Sequence, residues 1–136
     1  MQTTLSHIQV NVNGANMSFY RDLFTFLGWK PLYDVEGMLG LGDTNETSVW
    51  FIGQAKGIEN DYDGPGANHL AIGATAQGDV DAAAGYLRER GVELLFETPR
   101  HRPEFSGGED QTYYQVMFES PDRVLFEVVY TGPKGS

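Results

Sequence analysis

The chain has 136 residues and a formal net charge of −10, contains no cysteine, and is 40% hydrophobic, 12% aromatic and 21% charged. That length suits one domain with a real core, and the missing cysteine rules out disulfides, zinc-thiolate sites and a thiol nucleophile. The acidic balance argues against nucleic acid as a partner, and the lack of a long apolar run or a basic-then-apolar leader argues against membrane and for the cytoplasm.

Leu5 to Val12 alternates, with Ile8, Val10 and Val12 on one side and His7, Gln9 and Asn11 on the other. This predicts a strand with one face on a core and the other in a polar setting. After Asn13-Gly14, the residues Tyr20, Leu23, Phe24 and Leu27 fall at helical spacing, and Gly28 stands where a left-handed cap belongs. A helix is therefore expected near residues 16–27. Trp29 to Tyr33, Met38 to Gly42 and Thr47 to Gly53 read as three strands. Ala55 to Ala67 is polar and glycine-rich and reads as a loop between two halves.

The pattern then restarts. His69 to Thr75 reads as a strand. Asp79 can cap a helix near residues 79–90, whose apolar stripe is Val80, Ala83, Ala84 and Leu87 and whose stop is Gly91. Val92 to Phe96 is a strand, Glu97 to Thr112 a long polar loop, and Tyr113 to Glu119 and Val124 to Tyr130 are two more strands. Residues 131–136 are expected to be a flexible tail. The chain thus looks like β-α-β-β-β written twice, with His7 and His69 62 positions apart and Gly28 and Gly91 63 apart. Two copies of so long a period indicate a duplicated module rather than a solenoid.

Glu127 is the single carboxylate inside an apolar, β-branched and aromatic strand, where an ionised group is costly unless something positive meets it. Two of the three histidines, His7 and His69, lie in comparable strands. Two imidazoles and one carboxylate make a set that a divalent metal would take. Arg100 and Arg102 belong to the one basic cluster, Arg100-His101-Arg102, assigned to the long loop. They could close over an anionic substrate through charge-assisted bonds, although such a cluster is more often a solvated loop tip. Trp50, Phe51, Tyr113 and Tyr114 could line an apolar pocket, but period two sends half of them to the other side of their sheets.

In this order, His7 with its alternation, Phe19-Tyr20-Arg21-Asp22-Leu23 leading to Leu27-Gly28, Asn68-His69-Leu70-Ala71, Asp79-Val80-Asp81 leading to Arg90-Gly91-Val92, and Ser120-Pro121-Asp122-Arg123 leading to Glu127 resemble the vicinal oxygen chelate superfamily. That superfamily includes glyoxalase I, extradiol dioxygenases, fosfomycin-resistance enzymes and bleomycin-resistance proteins. The resemblance runs from about Leu5 to Tyr130 and is more specific for fold than for reaction. It implies an α+β fold of two βαβββ modules, about residues 4–54 and 68–130, forming a curled mixed-sheet cleft in a single domain of residues 1–130. It implies His7, His69 and Glu127 as metal ligands, with Glu127 catalytic, and a divalent ion such as Fe, Mn, Ni or Zn. The fourth family ligand place falls near Val49, Trp50 or Phe51, where no ligating side chain stands, a departure from the four-ligand glyoxalase I pattern. The extradiol tyrosine place falls on Met117; Tyr113 and Tyr114 do not match it in spacing. Arg123 takes the place of a family glycine, and since positive φ would cost it roughly 1 kcal/mol, a different turn is expected.

The function implied is a metalloenzyme acting on a small oxygen-chelating substrate, as a lyase, isomerase or ring-cleaving dioxygenase. Trp50, Tyr113, Tyr114, Arg100 and Arg102 are the expected pocket residues, and a homodimer the expected assembly, to which Trp29, Trp50 and Tyr33 would lend aromatic surface. The alternative is a metal-free protein of the bleomycin-resistance type that sequesters a small, cationic drug.

Overall fold

In the computed structural model, which describes residues 1–135, two glycines end two helices in the same way. Gly28 has φ +89° and Gly91 φ +72°, conformations that suit a residue without a Cβ. Just beyond each, the chain turns back on the helix: the Trp29 N–H donates to the Phe24 carbonyl at 2.9 Å, and the Val92 N–H to the Leu87 carbonyl at 3.0 Å. These are C-terminal caps of one geometry, at the two glycines whose spacing predicted a duplication. The helices are α1, Met17–Phe26, and α2, Gln77–Glu89. Asp79 does not cap α2 as expected. Ala76 holds the N-cap position without a side-chain bond, and Asp79 lies inside the first turn.

The chain divides into two units, Met1–Glu59 and Asn60 onward. In the first, the strands are β1 His7–Asn11, β2 Lys30–Val35, β3 Met38–Gly42 and β4 Ser48–Ile52. Their sheet order is β1-β4-β3-β2, with β1 and β4 parallel and the other pairs antiparallel. In the second, β5 His69–Ala74, β6 Leu94–His101, β7 Gln111–Glu119 and β8 Leu125–Pro133 take the order β5-β8-β7-β6. Here too the first and last strands are parallel and the rest antiparallel. The expected α+β fold of two βαβββ modules is present, each a mixed four-stranded sheet with one helix. No helix among the described residues is long and apolar enough to cross a membrane.

Strand period and helix stripe build each core separately. In the first unit Tyr20, Leu23 and Phe24 of α1 meet Leu39, Leu41, Val49 and Phe51 of the sheet, all buried, and Tyr20 stacks on Phe51 at a centroid distance of 4.4 Å. In the second, Val80, Ala83, Ala84 and Leu87 of α2 are buried beside Val116, Phe118, Phe126 and Val128. Phe118 and Phe126 stack at 5.6 Å.

Three further expectations are corrected. The supposed loop from Glu97 is strand as far as His101, because β6 continues past a break in register between Leu95 and Arg100. The supposed flexible tail is ordered through its first three residues: β8 runs on to Pro133, which pairs with Gln111, and the Lys134 N–H donates to the Asp110 carbonyl at 3.0 Å. Ser136, the last residue of that tail, lies outside the described residues. Arg123 does adopt positive φ, +56°, in spite of its Cβ. The Ser120 hydroxyl accepts the Asp122 and Val124 amides at 3.2 and 3.1 Å and holds the turn. The Arg123 side chain lies over the Tyr62 ring and pairs with Glu119 at 3.5 Å, contacts that offset the backbone strain.

Candidate functional site

Tyr114 fixes which way the second sheet faces. Its hydroxyl donates to Asp81 Oδ1 of α2 at 2.5 Å, so Tyr114 is on the helix side. By period two, Tyr113, Gln115, Met117 and Glu119 of β7 are on the opposite face. Register places Ala71 of β5 and Met117 beside Glu127 of β8, and puts His69 beside Leu125 on the same face. Tyr114, an expected pocket residue, is therefore separated by the sheet from Glu127. Burial first, and then its bond to the Asp81 carboxylate, push the Tyr114 phenol up to about 12 from an ordinary value of 10.0. The neutral phenol is the form the fold favours. That contribution to stability is complete below pH ~10 and is lost as pH rises through about 12. Tyr114→Phe is thus expected to lower the thermal midpoint at pH 8, and the gap from wild type should close as the melts are repeated up to pH ~12.

Glu127 is the centre of the opposite face. It is only 1% exposed, so its carboxylate depends on protein partners. The Tyr113 hydroxyl donates to it, 2.9 Å from Oε2 and 3.1 Å from Oε1. The buried Gln115 amide donates to Oε2, and its own carbonyl accepts from Arg102 at 3.1 Å. Arg102 also donates through Nε to Glu104 at 2.6 Å and stands over the Phe105 ring, which packs edge-on against Tyr113. Desolvation, followed by the hydrogen bond to Glu127, raises the Tyr113 phenol to about 12, so it stays a proton donor through the neutral range.

His69 comes to Glu127 from β5, with Nε2 3.5 Å from Oε1. Its tautomer follows from its neighbour. The Asn68 amide nitrogen donates to the Tyr62 carbonyl at 2.9 Å, which turns Asn68 Oδ1 toward His69 Nδ1, 2.7 Å away. Nδ1 therefore carries the proton, and the neutral ring presents an Nε2 lone pair to a carboxylate oxygen. Two lone pairs facing each other are unfavourable unless a proton or a cation lies between. Two ligands at ~2.1 Å from one ion are about 3.0–3.4 Å apart at tetrahedral or octahedral angles, close to the separation here. The donor types, the spacing and the second bond at Nδ1 all fit a divalent metal. They supply two ligands. Among the described residues no group of three or more His, Cys, Asp or Glu side chains is placed to hold an ion.

In the first unit, His7 begins the exposed side of β1 and pairs in register with Ser48 of β4, as Gln9 does with Trp50. Ser6 Oγ is 3.2 Å from His7 Nδ1. Trp50 shares this face, its indole N–H donating to Ser48 Oγ at 3.0 Å. The ring lies flat over Gly40, where a Cβ would come within 2.5 Å of it, so only glycine leaves room for the indole there. Phe51 turns the other way, into the α1 core.

Of the expected residues in the second unit, the structure gathers His69, Tyr113, Glu127 and Arg102 into one network, and sends Tyr114 to the helix. Arg100 lies within β6, not at a loop tip, and pairs in register with Gln115. Sequence reasoning did not single out Gln115 or the role of Asn68. A buried amide two positions from Tyr113 on a strand was the available signal for the first, and the Asn-His pair for the second.

The family model described as the Glyoxalase/Bleomycin resistance protein/Dioxygenase superfamily matches residues 4–128. None of the curated proteins is similar enough to match. Among solved structures, a candidate glyoxalase from Bacillus halodurans is 26% identical, covers 95% of this chain and 96% of its own, and has a TM-score of 0.78. A genomically encoded fosfomycin resistance protein from Listeria monocytogenes is 20% identical over 96% of this chain and 94% of its own, with a TM-score of 0.65. Lactoylglutathione lyase from Agrobacterium tumefaciens is 14% identical over 96% and 95%, with a TM-score of 0.66. The latter two likenesses are likenesses of fold.

Proposed function

The chain belongs to the glyoxalase/bleomycin resistance protein/dioxygenase superfamily, and from that premise we propose that it is a divalent-metal-dependent enzyme acting on a small substrate that offers two oxygens to the metal. Members of this superfamily commonly use divalent metals, bind small molecules and often form dimers. The observation that carries the proposal is the His69–Glu127 pair, an imidazole Nε2 3.5 Å from a buried carboxylate oxygen, with Nδ1 of the same ring engaged by Asn68. In the neutral ring Asn68 holds the proton on Nδ1, which leaves Nε2 to meet a cation shared with Glu127.

His69 and Glu127 would be two ligands and His7 the third, contributed by a second copy of the chain in a homodimer. A bound divalent ion would supply a Lewis acid to the substrate oxygens, with positions left open for them. The chain's own residues do the rest. Asn68 sets the His69 ring, while Tyr113 and Gln115 fix both oxygens of Glu127 so that little rearrangement is needed on binding. Arg102, engaged by Glu104 and Gln115, braces the Gln115 amide. Tyr113 keeps its proton at neutral pH and donates it in a hydrogen bond to Glu127, so its oxygen is left to accept from a substrate hydroxyl. Lyase, isomerase and ring-cleaving dioxygenase are the candidate reaction classes, and a lactoylglutathione lyase is among the proteins that share the fold.

Elemental analysis of protein purified without chelator is the direct test. About one equivalent of a first-row divalent ion per chain is expected. Wild-type protein that neither carries nor takes up such an ion would overturn the enzyme reading and favour the metal-free, drug-sequestering one, for which the net charge of −10 would suit a cationic ligand.

A further inference from the structure

The register break in β6 decides which side chain stands beside Gln115. Leu95 pairs with Met117, and Arg100 with Gln115, so five steps on β6 match two on β7. The surplus residues loop out, with Phe96 at φ +57° and Glu97 at φ +60°, a region unfavourable to residues with a Cβ. Thr98 closes the bulge: its hydroxyl donates to the Leu95 carbonyl at 2.7 Å and accepts the Met117 N–H at 2.9 Å, replacing a lost ladder bond. In a regular ladder the neighbour of Gln115 would be Glu97. The strained bulge puts a guanidinium there in place of a carboxylate, next to the amide that holds Glu127.

Among the described residues no carboxylate pairs with that guanidinium. Arg100 Nε is buried and has no hydrogen-bond partner among the described residues. Its neighbour Arg102 is already satisfied by Glu104 and Gln115. Lys30, Lys56, Arg88 and Lys134 stand exposed, where water serves them. In a chain with 19 acidic residues, a half-buried arginine without a carboxylate, held in place by a strained backbone, calls for an anion from outside.

We propose that Arg100 binds one oxyanion of the substrate, a carboxylate or a phosphoryl or phosphonyl group, through the terminal nitrogens of its half-buried guanidinium. The fork geometry suits two oxygens of one group, which a lysine could not match. The inference rests on the reading of the Glu127 face as the substrate site. It names the substrate class: a small molecule with a fixed negative charge next to the oxygens that would meet the metal. In an otherwise acidic chain, Arg100 is also what would let such a molecule approach Glu127.

Sodium acetate and inorganic phosphate, each titrated into the metal-free full chain against sodium chloride of equal ionic strength, test this by the thermal unfolding midpoint. At least one of them should raise the midpoint saturably in wild type; acetate alone indicates a carboxylate ligand and phosphate alone a phosphoryl-type one. Arg100→Gln should need roughly tenfold or more of the same anion for half the effect, and Arg100→Lys should fall nearer to Gln than to wild type. Ni(II) binding by both variants should remain as in wild type. No response to either anion in wild type, or an unchanged response in both variants, overturns the proposal. If the anion response depends on Arg100 but wild type binds no metal, the anion site stands and the metalloenzyme reading falls.

Discussion

Glu127→Gln is expected to keep the fold and to weaken divalent-metal binding by at least about 100-fold. The two side chains have nearly the same volume, and the position is buried, so size must be kept. The new amide can also be satisfied where the carboxylate was. Its carbonyl can accept from the Gln115 amide, and its NH2 can donate to the Tyr113 hydroxyl, which changes from donor to acceptor. What cannot be replaced is the negative charge facing His69 Nε2. Glu127→Ala is a poorer test, since it would strand the Tyr113 and Gln115 donors, at a cost of about 1–3 kcal/mol each, and leave a cavity besides. Titration of Ni(II) or Mn(II) into wild-type and Glu127→Gln protein, with melts to verify folding, gives the comparison. Equal affinities would remove Glu127 from the metal site.

The repeat was legible because two kinds of signal agreed at matching places. Helical spacing ended on Gly28 and Gly91, and both proved to be left-handed caps of the same type. Period two located the two faces of β7 and β8, and so the side on which Glu127 stands. What the sequence concealed was any feature set by long-range pairing rather than by local period. Pro99 was the one local sign of a bulge, and Phe96 and Glu97 themselves give none; Thr98 closes the bulge on Met117, 19 positions away in the chain. That hidden bulge is why Arg100 looked like part of a loop. Tyr113 and Tyr114 were equivalent as letters; alternation with the buried Val116 and Phe118 puts Tyr114 on the helix face, and the Asp81 contact agrees. At Arg123 the local cost is offset by contacts the turn motif does not announce, an ion pair with Glu119 four positions back and the ring of Tyr62, which is remote in the chain.

Co-expressing one chain that carries His7→Gln with another that carries Glu127→Gln is expected to restore metal sites that neither variant has alone. If His7 completes the His69–Glu127 pair of a partner chain, each homodimer of a single variant has both of its sites broken. In a heterodimer the mutations segregate. One site receives both defects, while the other takes its intact His7 from the Glu127→Gln chain and its intact His69 and Glu127 from the His7→Gln chain. Random pairing makes about half of the dimers mixed, each with one whole site, so about a quarter of the wild-type metal content should return. Different affinity tags on the two chains isolate the mixed species, which should then carry about one ion per dimer. Ligands drawn from a single chain would give the opposite result, since every chain in the mixture carries a broken set and no pairing repairs it. A purified heterodimer without metal would therefore place His7 outside the partner's site, leaving His69 and Glu127 to find their third ligand within one chain or to serve as a metal-free pair.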